Sequence, residues 1–289
     1  MLTKLAVTAR TQYGKRVHRR VVLSALGLAA FAALGAGYAS GSDLFDPPAT
    51  AARGVGNPRS APRPYPTPFP LPPHFLTPHL ARQPTPHGIV TSLPGDDAAI
   101  ALTVDDGNSS KVVAAYAKFS RDTGMRLTFF LNGSRPSWTD NAAVLRPLVE
   151  SGQVQLANHT WSHPDLRTLS ESKIAHELMT NHDFITATYG VDARPYFRPP
   201  YGYHNERVNA AAAAVGYTVP VLWYGSLSDS TDITDAQLLE SANSWLLPRH
   251  IVIGHANYAT VTRHFDEIVA IIRARGLVPV TLDDVFARP

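Results

Sequence analysis

From residue 98 onward, short apolar runs rich in β-branched and aromatic residues recur at 98–104, 127–131, 154–157, 196–197, 217–222, 251–253 and 277–280. Each is too short for a helix and too continuous for a half-exposed strand, so each predicts a strand buried on both faces. Between them the apolar positions shift to helical spacing. Val112, Val113, Tyr116 and Phe119 share one face of a predicted helix over 110–122, which Gly124 stops. Further helices are predicted over 141–150, with Pro147 inside it, over 171–188 around Ile174, Leu178 and Ile185, and over 205–215 before Gly216. Thr234-Asp235-Ala236-Gln237 is a capping box that opens a helix reaching Leu247. A last helix over 261–275 turns Phe265, Ile268, Ile271 and Ile272 inward and ends at Gly276. Strand and helix alternate throughout. This predicts an α/β fold with a parallel sheet, closed or nearly closed into a barrel.

The front of the chain follows other rules. Basic residues, among them Arg19 and Arg20, precede an apolar or small-residue stretch over 21–40 that has no polar face. Residues 1–41 therefore predict export, as a signal peptide or as an uncleaved membrane anchor, and a twin-arginine route is open. Residues 42–88 contain 13 of the 24 prolines. Such a stretch cannot donate a ladder of hydrogen bonds, so it is expected as an extended spacer ahead of a domain over 89–289.

Charge narrows the function. The net charge is +3, but residues 1–88 hold 10 of the 26 Lys and Arg and only 2 of the 23 Asp and Glu. The folded body is thus mildly acidic, which removes most support for a nucleic-acid partner. With no cysteine, thiolate zinc sites, iron–sulfur clusters and cysteine nucleophiles are excluded. No Gly-x-Ser-x-Gly elbow or phosphate-binding glycine loop is present, and His176-Glu177 lacks the second histidine of a zinc-protease motif because position 180 is Thr.

Taken one by one, the remaining polar motifs are ordinary. Asp105-Asp106-Gly107 reads as a turn, His159 and His163 as surface histidines, Arg198-Pro199-Pro200-Tyr201 as a stiff loop, and His255 as a structural donor. Their placement joins them. Asp105, Asp106, His159, Arg198 and His255 all fall at predicted strand C-termini, with His163 just beyond, and a parallel α/β barrel opens those ends onto one face. Two carboxylates, a histidine pair, an arginine and a further histidine are the parts of metal-assisted hydrolysis.

These motifs, in this order, with Leu127-Thr128-Phe129-Phe130-Leu131-Asn132-Gly133 between the first two, resemble the polysaccharide deacetylases, also called the NodB-homology domain or carbohydrate esterase family 4. The resemblance covers about residues 95–289. It implies a distorted (β/α) barrel of about seven parallel strands that removes acetyl groups from a glycan with one divalent metal ion, zinc by default, with cobalt or nickel as alternatives. Carried over, Asp106, His159 and His163 are the metal ligands, Asp105 the general base, Arg198 its orienting partner and His255 the general acid, with Asp229 as the partner of His255. Pro200, Tyr201 and Trp223 are expected to line the substrate groove, the backbone N–H of Tyr201 serving the oxyanion. The sequence departs from the family pattern at Tyr224 and Ser230, where an acid and a tryptophan are expected. Ser230 predicts a lower groove wall, with Trp223, Tyr224 or Trp161 as substitute faces. The expected substrate is a cell-surface N-acetylglucosamine polymer, with peptidoglycan ahead of chitin oligosaccharides. An acetylxylan-type O-deacetylase and a catalytically silent glycan-binding wall module are the alternatives. The protein is expected to be a monomer whose contact with a membrane is limited to its N-terminal segment.

Overall fold

The computed structural model describes residues 74–95 and 98–288. The segment read as signal or anchor, and most of the spacer, lie outside them. Eight strands are present: β1 (Ala99–Asp106), β2 (Leu127–Leu131), β3 (Val154–Asn158), β4 (Tyr196–Phe197), β5 (Val219–Pro220), β6 (Gly225–Ser226), β7 (Ile251–His255) and β8 (Val278–Pro279). Every pairing is parallel. The order is β5-β4-β3-β2-β1-β7-β6, and β8 pairs with the first residues of β1, leaving the rest of that edge to β2. All seven predicted strands are found, several of them shorter than their apolar runs. The two-residue β6 is additional, since two residues present no periodicity to read.

Val90 exchanges hydrogen bonds with the end of β5, its N–H donating to Pro220 and its carbonyl accepting from Leu222. Two residues on, Ser92 bridges antiparallel to His250, at the start of β7. Residues 90–93 thereby seam the open side of the sheet, and the barrel is curled and closed by a segment that is not itself a strand.

The helices are α1 (Ser110–Thr123), α2 (Pro136–Asp140), α3 (Ala142–Glu150), α4 (Glu171–Tyr189), α5 (Glu206–Ala213), α6 (Asp235–Trp245), α7 (Phe265–Ala274) and α8 (Leu282–Val285). Six match the predicted ones. The capping box at Thr234 and Gln237 is made in both directions, and Ser109, Ser170 and Asn205 cap α1, α4 and α5. One core lies between helices and sheet, with Leu102, Phe129, Leu156 and Val252 among its members. A smaller one inside the barrel holds Ala101, Phe130, Ala157, Tyr196 and Val219.

The last residues of the proline-rich stretch pack on this body. Phe75 donates its N–H to Thr123 and lies against the outer core, Leu80 against the inner one. Gln83 pairs on both sides with the 285–287 segment. Thus the stretch 75–88, read from sequence as spacer, is tied to the domain at Phe75, Leu80 and Gln83 while most of its residues stay exposed, which a proline count does not reveal.

Candidate active site

Strand register does most of the positioning. Asp105 on β1 stands directly beside His255 on β7. Asp106 aligns with Leu131, Leu131 with Asn158, and Asn158 with Phe197, so Asp106 ends its strand at this level and residues 132, 159 and 198 leave the sheet one residue further on. Asp106, Thr160, His163 and Tyr201 all have φ between 62° and 73°, a left-handed backbone that non-glycine residues rarely adopt and that collects at functional sites. Gly107 allows the turn after Asp106. Its φ is +102°, and a Cβ there would come 2.3 Å from Trp138 Nε1, the atom that donates to the Asp106 carbonyl at 2.9 Å.

Asp106 Oδ1 lies 3.5 Å from His159 Nε2 and 3.4 Å from His163 Nε2. The three donor atoms are all within 4.8 Å of one another. Ligands at roughly 2.0–2.1 Å in a tetrahedral shell stand about 3.3 Å apart, so the two measured edges fit a small divalent ion. His159 Nδ1 is 2.7 Å from the Arg198 carbonyl. A carbonyl only accepts, so Nδ1 carries a proton and Nε2 is the atom turned to the site. Burial, with the charge of His159 next, brings His163 down to about 4, which leaves a neutral imidazole. Burial alone would raise Asp106, but its hydrogen bond to His159 and the charges of His159, His163 and His255 outweigh it and hold the carboxyl well below the usual range. Its second oxygen accepts from Asn257 Nδ2 at 2.6 Å. An ionised Asp106 and a neutral His163 are the protonation states that metal binding requires; at His159 burial is outweighed by Asp105 and Asp106, which raise the imidazole, so an ion there would take the place of a proton.

Asp105 is 2 % exposed and Arg198 is fully buried. Arg198 Nη1 donates to Asp105 Oδ1 at 2.5 Å and to Thr103 Oγ1 at 2.9 Å, Nε to the Val221 carbonyl at 2.9 Å, and Nη2 to the Leu222 carbonyl at 3.1 Å. Its guanidinium stacks on Phe130, 4.1 Å from the ring centre. The other Asp105 oxygen, Oδ2, is 3.5 Å from His159 Nε2, next to the donor set.

His255 and Asp229 form a second pair. Asp229 Oδ1 is 3.0 Å from His255 Nδ1, and Oδ2 accepts the backbone N–H of the same residue at 3.2 Å. Burial opposes the charged imidazole. The hydrogen bond to Asp229 and the charges of Asp105, Asp229 and Asp106 prevail and raise His255 above its ordinary value.

A cleft of about 460 Å³ joins these groups; Trp223, Tyr201 and Ser230 also line it. Tyr201 is 58 % exposed, with its ring centre 4.6 Å from that of His163. Its N–H donates no hydrogen bond among the described residues. Pro200 is buried behind it. Of the three expected substitute faces only Trp223 reaches the cleft. Tyr224 packs on His250 at 4.5 Å, and Trp161 on Phe184 at 5.9 Å.

Several supporting residues escape a search for charged or metal-ligating types. Asn132 donates to the carbonyls of His159 and Thr160 at 2.5 and 3.0 Å, Asn158 accepts from the Thr160 N–H, and Asn181 links Asn158 to Leu131 and Gly133. Glu177 receives both the N–H and the hydroxyl of Ser162. Asn257 lies in the bend that follows β7, two residues past His255.

The class these features define is a barrel hydrolase with a candidate His₂-Asp metal centre. The polysaccharide deacetylase family model matches residues 93–220. Asp105, Asp106, His159, His163 and Arg198 lie within the match; Asp229 and His255 lie beyond it. Chitin deacetylase 1 of Cryptococcus neoformans is 33% identical over 57% of this chain and 33% of its own length. The peptidoglycan-N-acetylglucosamine deacetylase PgdA of Listeria monocytogenes is 27% identical over 65% of this chain and 38% of its own. The chain therefore spans about a third of the length of these two relatives. Among solved structures, the chitin deacetylase of Colletotrichum lindemuthianum superposes with a TM-score of 0.63 at 20% identity, covering 71% of this chain and 94% of that one. This likeness is one of fold.

Proposed function

We propose that the protein is a metal-dependent N-deacetylase of a cell-surface N-acetylglucosamine polymer, with peptidoglycan the favoured substrate. One observation carries the reading: a single cleft gathers three candidate ligand atoms, a buried carboxylate fixed by arginine and a histidine fixed by a second carboxylate. Relatives named for chitin and for peptidoglycan share the family domain.

Asp106, His159 and His163 would hold the ion; zinc suits their nitrogen and oxygen donors, and cobalt or nickel also fit. A divalent ion bound there supplies polarisation of the acetyl carbonyl and acidification of a water. The rest falls to this chain. Asp105 accepts a proton on Oδ2, because Arg198 occupies Oδ1. Tyr201 offers its unengaged N–H to the oxygen on which negative charge develops. With Nδ1 directed at Asp229, His255 delivers the proton on Nε2 to the departing nitrogen. An amine leaves poorly unless protonated, whereas an ester alkoxide depends on an acid less, so an intact Asp229–His255 pair favours N-acetyl over O-acetyl substrates. A catalytically silent module would have no use for all three groups at once.

Export through residues 1–41 and work at the cell wall complete the proposal. Acetate release from chitin oligosaccharides, peptidoglycan and acetylated xylan, measured with and without added zinc, tests it. Release from N-acetylglucosamine polymers that a chelator abolishes is expected; release from xylan alone would move the assignment to an O-deacetylase, and no release from any would favour the silent module.

A further inference from the structure

Arg135 lines the catalytic cleft, and no role assigned so far uses it. It is half-buried, and its Nε is buried without a hydrogen-bond partner. The guanidinium enters no ion pair among the described residues. The cleft's two carboxylates are both engaged, Asp105 with Arg198 and Asp106 with His159, His163 and Asn257. No other described Lys or Arg lines this cleft, since Arg198 is sealed behind Asp105.

The base of this side chain is fixed. The Gly133 N–H donates to Asn181 Oδ1 at 2.7 Å, that of Ser134 to the Trp161 carbonyl at 3.2 Å, and that of Arg135 to the Asn132 carbonyl at 3.0 Å. Pro136 follows and opens α2, restricting the Arg135 backbone further. A cation is thus held at the cleft, beside the loop that carries His159 and His163, with donors to spare.

From this we infer that Arg135 selects glycans bearing a carboxylate close to the acetyl group that reacts. The inference rests on the glycan reading above and adds a preference to it. A neutral sugar closing over the cleft would desolvate the guanidinium without a counter-charge, which is unfavourable. A carboxylate would be met by a planar fork of N–H donors suited to two-point binding. Such a group could sit on the ether side chain of a neighbouring sugar or on a peptide attached to it; the chemistry of recognition is the same.

The test uses the full chain and three β-1,4-linked oligomers of equal length. One is neutral N-acetylglucosamine, one alternates with N-acetylmuramic acid carrying free lactyl carboxylates, and one has peptide stems on those lactyl groups. Binding by calorimetry and acetate release are both measured for wild type, Arg135→Ala and Arg135→Lys. Wild type is expected to favour at least one carboxylate-bearing oligomer over the neutral one, and which one identifies the source of the carboxylate. In Arg135→Ala that preference ratio should fall by about ten- to hundredfold, in KM more than in kcat, with Arg135→Lys restoring part of it. Equal losses on neutral and charged oligomers, or a wild type without preference, would overturn the inference. A binding preference that behaves as expected while no oligomer releases acetate would sink the deacetylase reading and leave the carboxylate site standing.

Discussion

Replacing Arg198 by methionine tests the most heavily buried part of the site. The guanidinium is fully buried and donates to Asp105, Thr103 and the carbonyls of Val221 and Leu222. Methionine fills much of the space against Phe130 but leaves Asp105, itself 2 % exposed, without its counter-charge. Breaking a buried pair by removing one partner costs about 3–5 kcal/mol. Set against a total stability of about 5–15 kcal/mol, that is a large fraction. For a domain of this size each kcal/mol moves Tm by about 2–4 °C, so a fall of roughly 6–20 °C is expected in thermal unfolding followed by circular dichroism. Most of the loss belongs to the stranded carboxylate. Adding Asp105→Asn to Arg198→Met should therefore recover stability, with a coupling of about 1–3 kcal/mol in a double-mutant cycle. Additive single effects, or a loss under about 1 kcal/mol in Arg198→Met, would refute the idea that the two side chains form a coupled buried pair.

Three further outcomes follow from other parts of the molecule. His255 is raised with help from Asp229 and acts as an acid, so activity should fall as pH rises through its pKa. Asp229→Asn should move that alkaline limb of kcat/KM to lower pH, and an unmoved limb would remove Asp229 from the reaction. A chain starting at residue 74 should unfold at the full-length Tm, whereas one starting at 89 loses Phe75, Leu80 and Gln83 and should melt lower; identical melting would make those contacts dispensable. Ser230 lines the cleft, so Ser230→Trp should lower KM for short oligosaccharides by about tenfold while kcat hardly changes; loss of activity with the metal still bound would show that the space is already occupied.

What the sequence made legible follows from physical causes. β1, β2 and β3 are buried along their whole length, so they read as unbroken apolar runs. The candidate site residues were legible because a parallel sheet sends its C-terminal ends to one face, which joined four weak motifs into one constellation. Short or irregular elements escaped. Gly225–Ser226 and Pro136–Asp140 are too brief for periodicity, and the 74–93 segment joins the body through backbone hydrogen bonds and single apolar contacts inside a proline-rich composition. Asn132, Asn181 and Asn257 went unseen because neutral amides carry no signal of their own; their role appears only once the carbonyls and carboxylate they serve are in place. Tyr224 was expected as a substitute groove face and instead stacks on His250, because alternation about β6 directs it away from the cleft that Trp223 lines.

The central claim is a division of labour between adjacent aspartates, Asp106 on the metal and Asp105 on the proton. Asp105→Asn, assayed for zinc content and for acetate release from an N-acetylglucosamine oligomer, tests it most directly. The account predicts about one zinc per chain, as in wild type, with kcat lower by roughly 10²–10⁴. Zinc retained with near-normal turnover, or zinc lost together with activity, would contradict it.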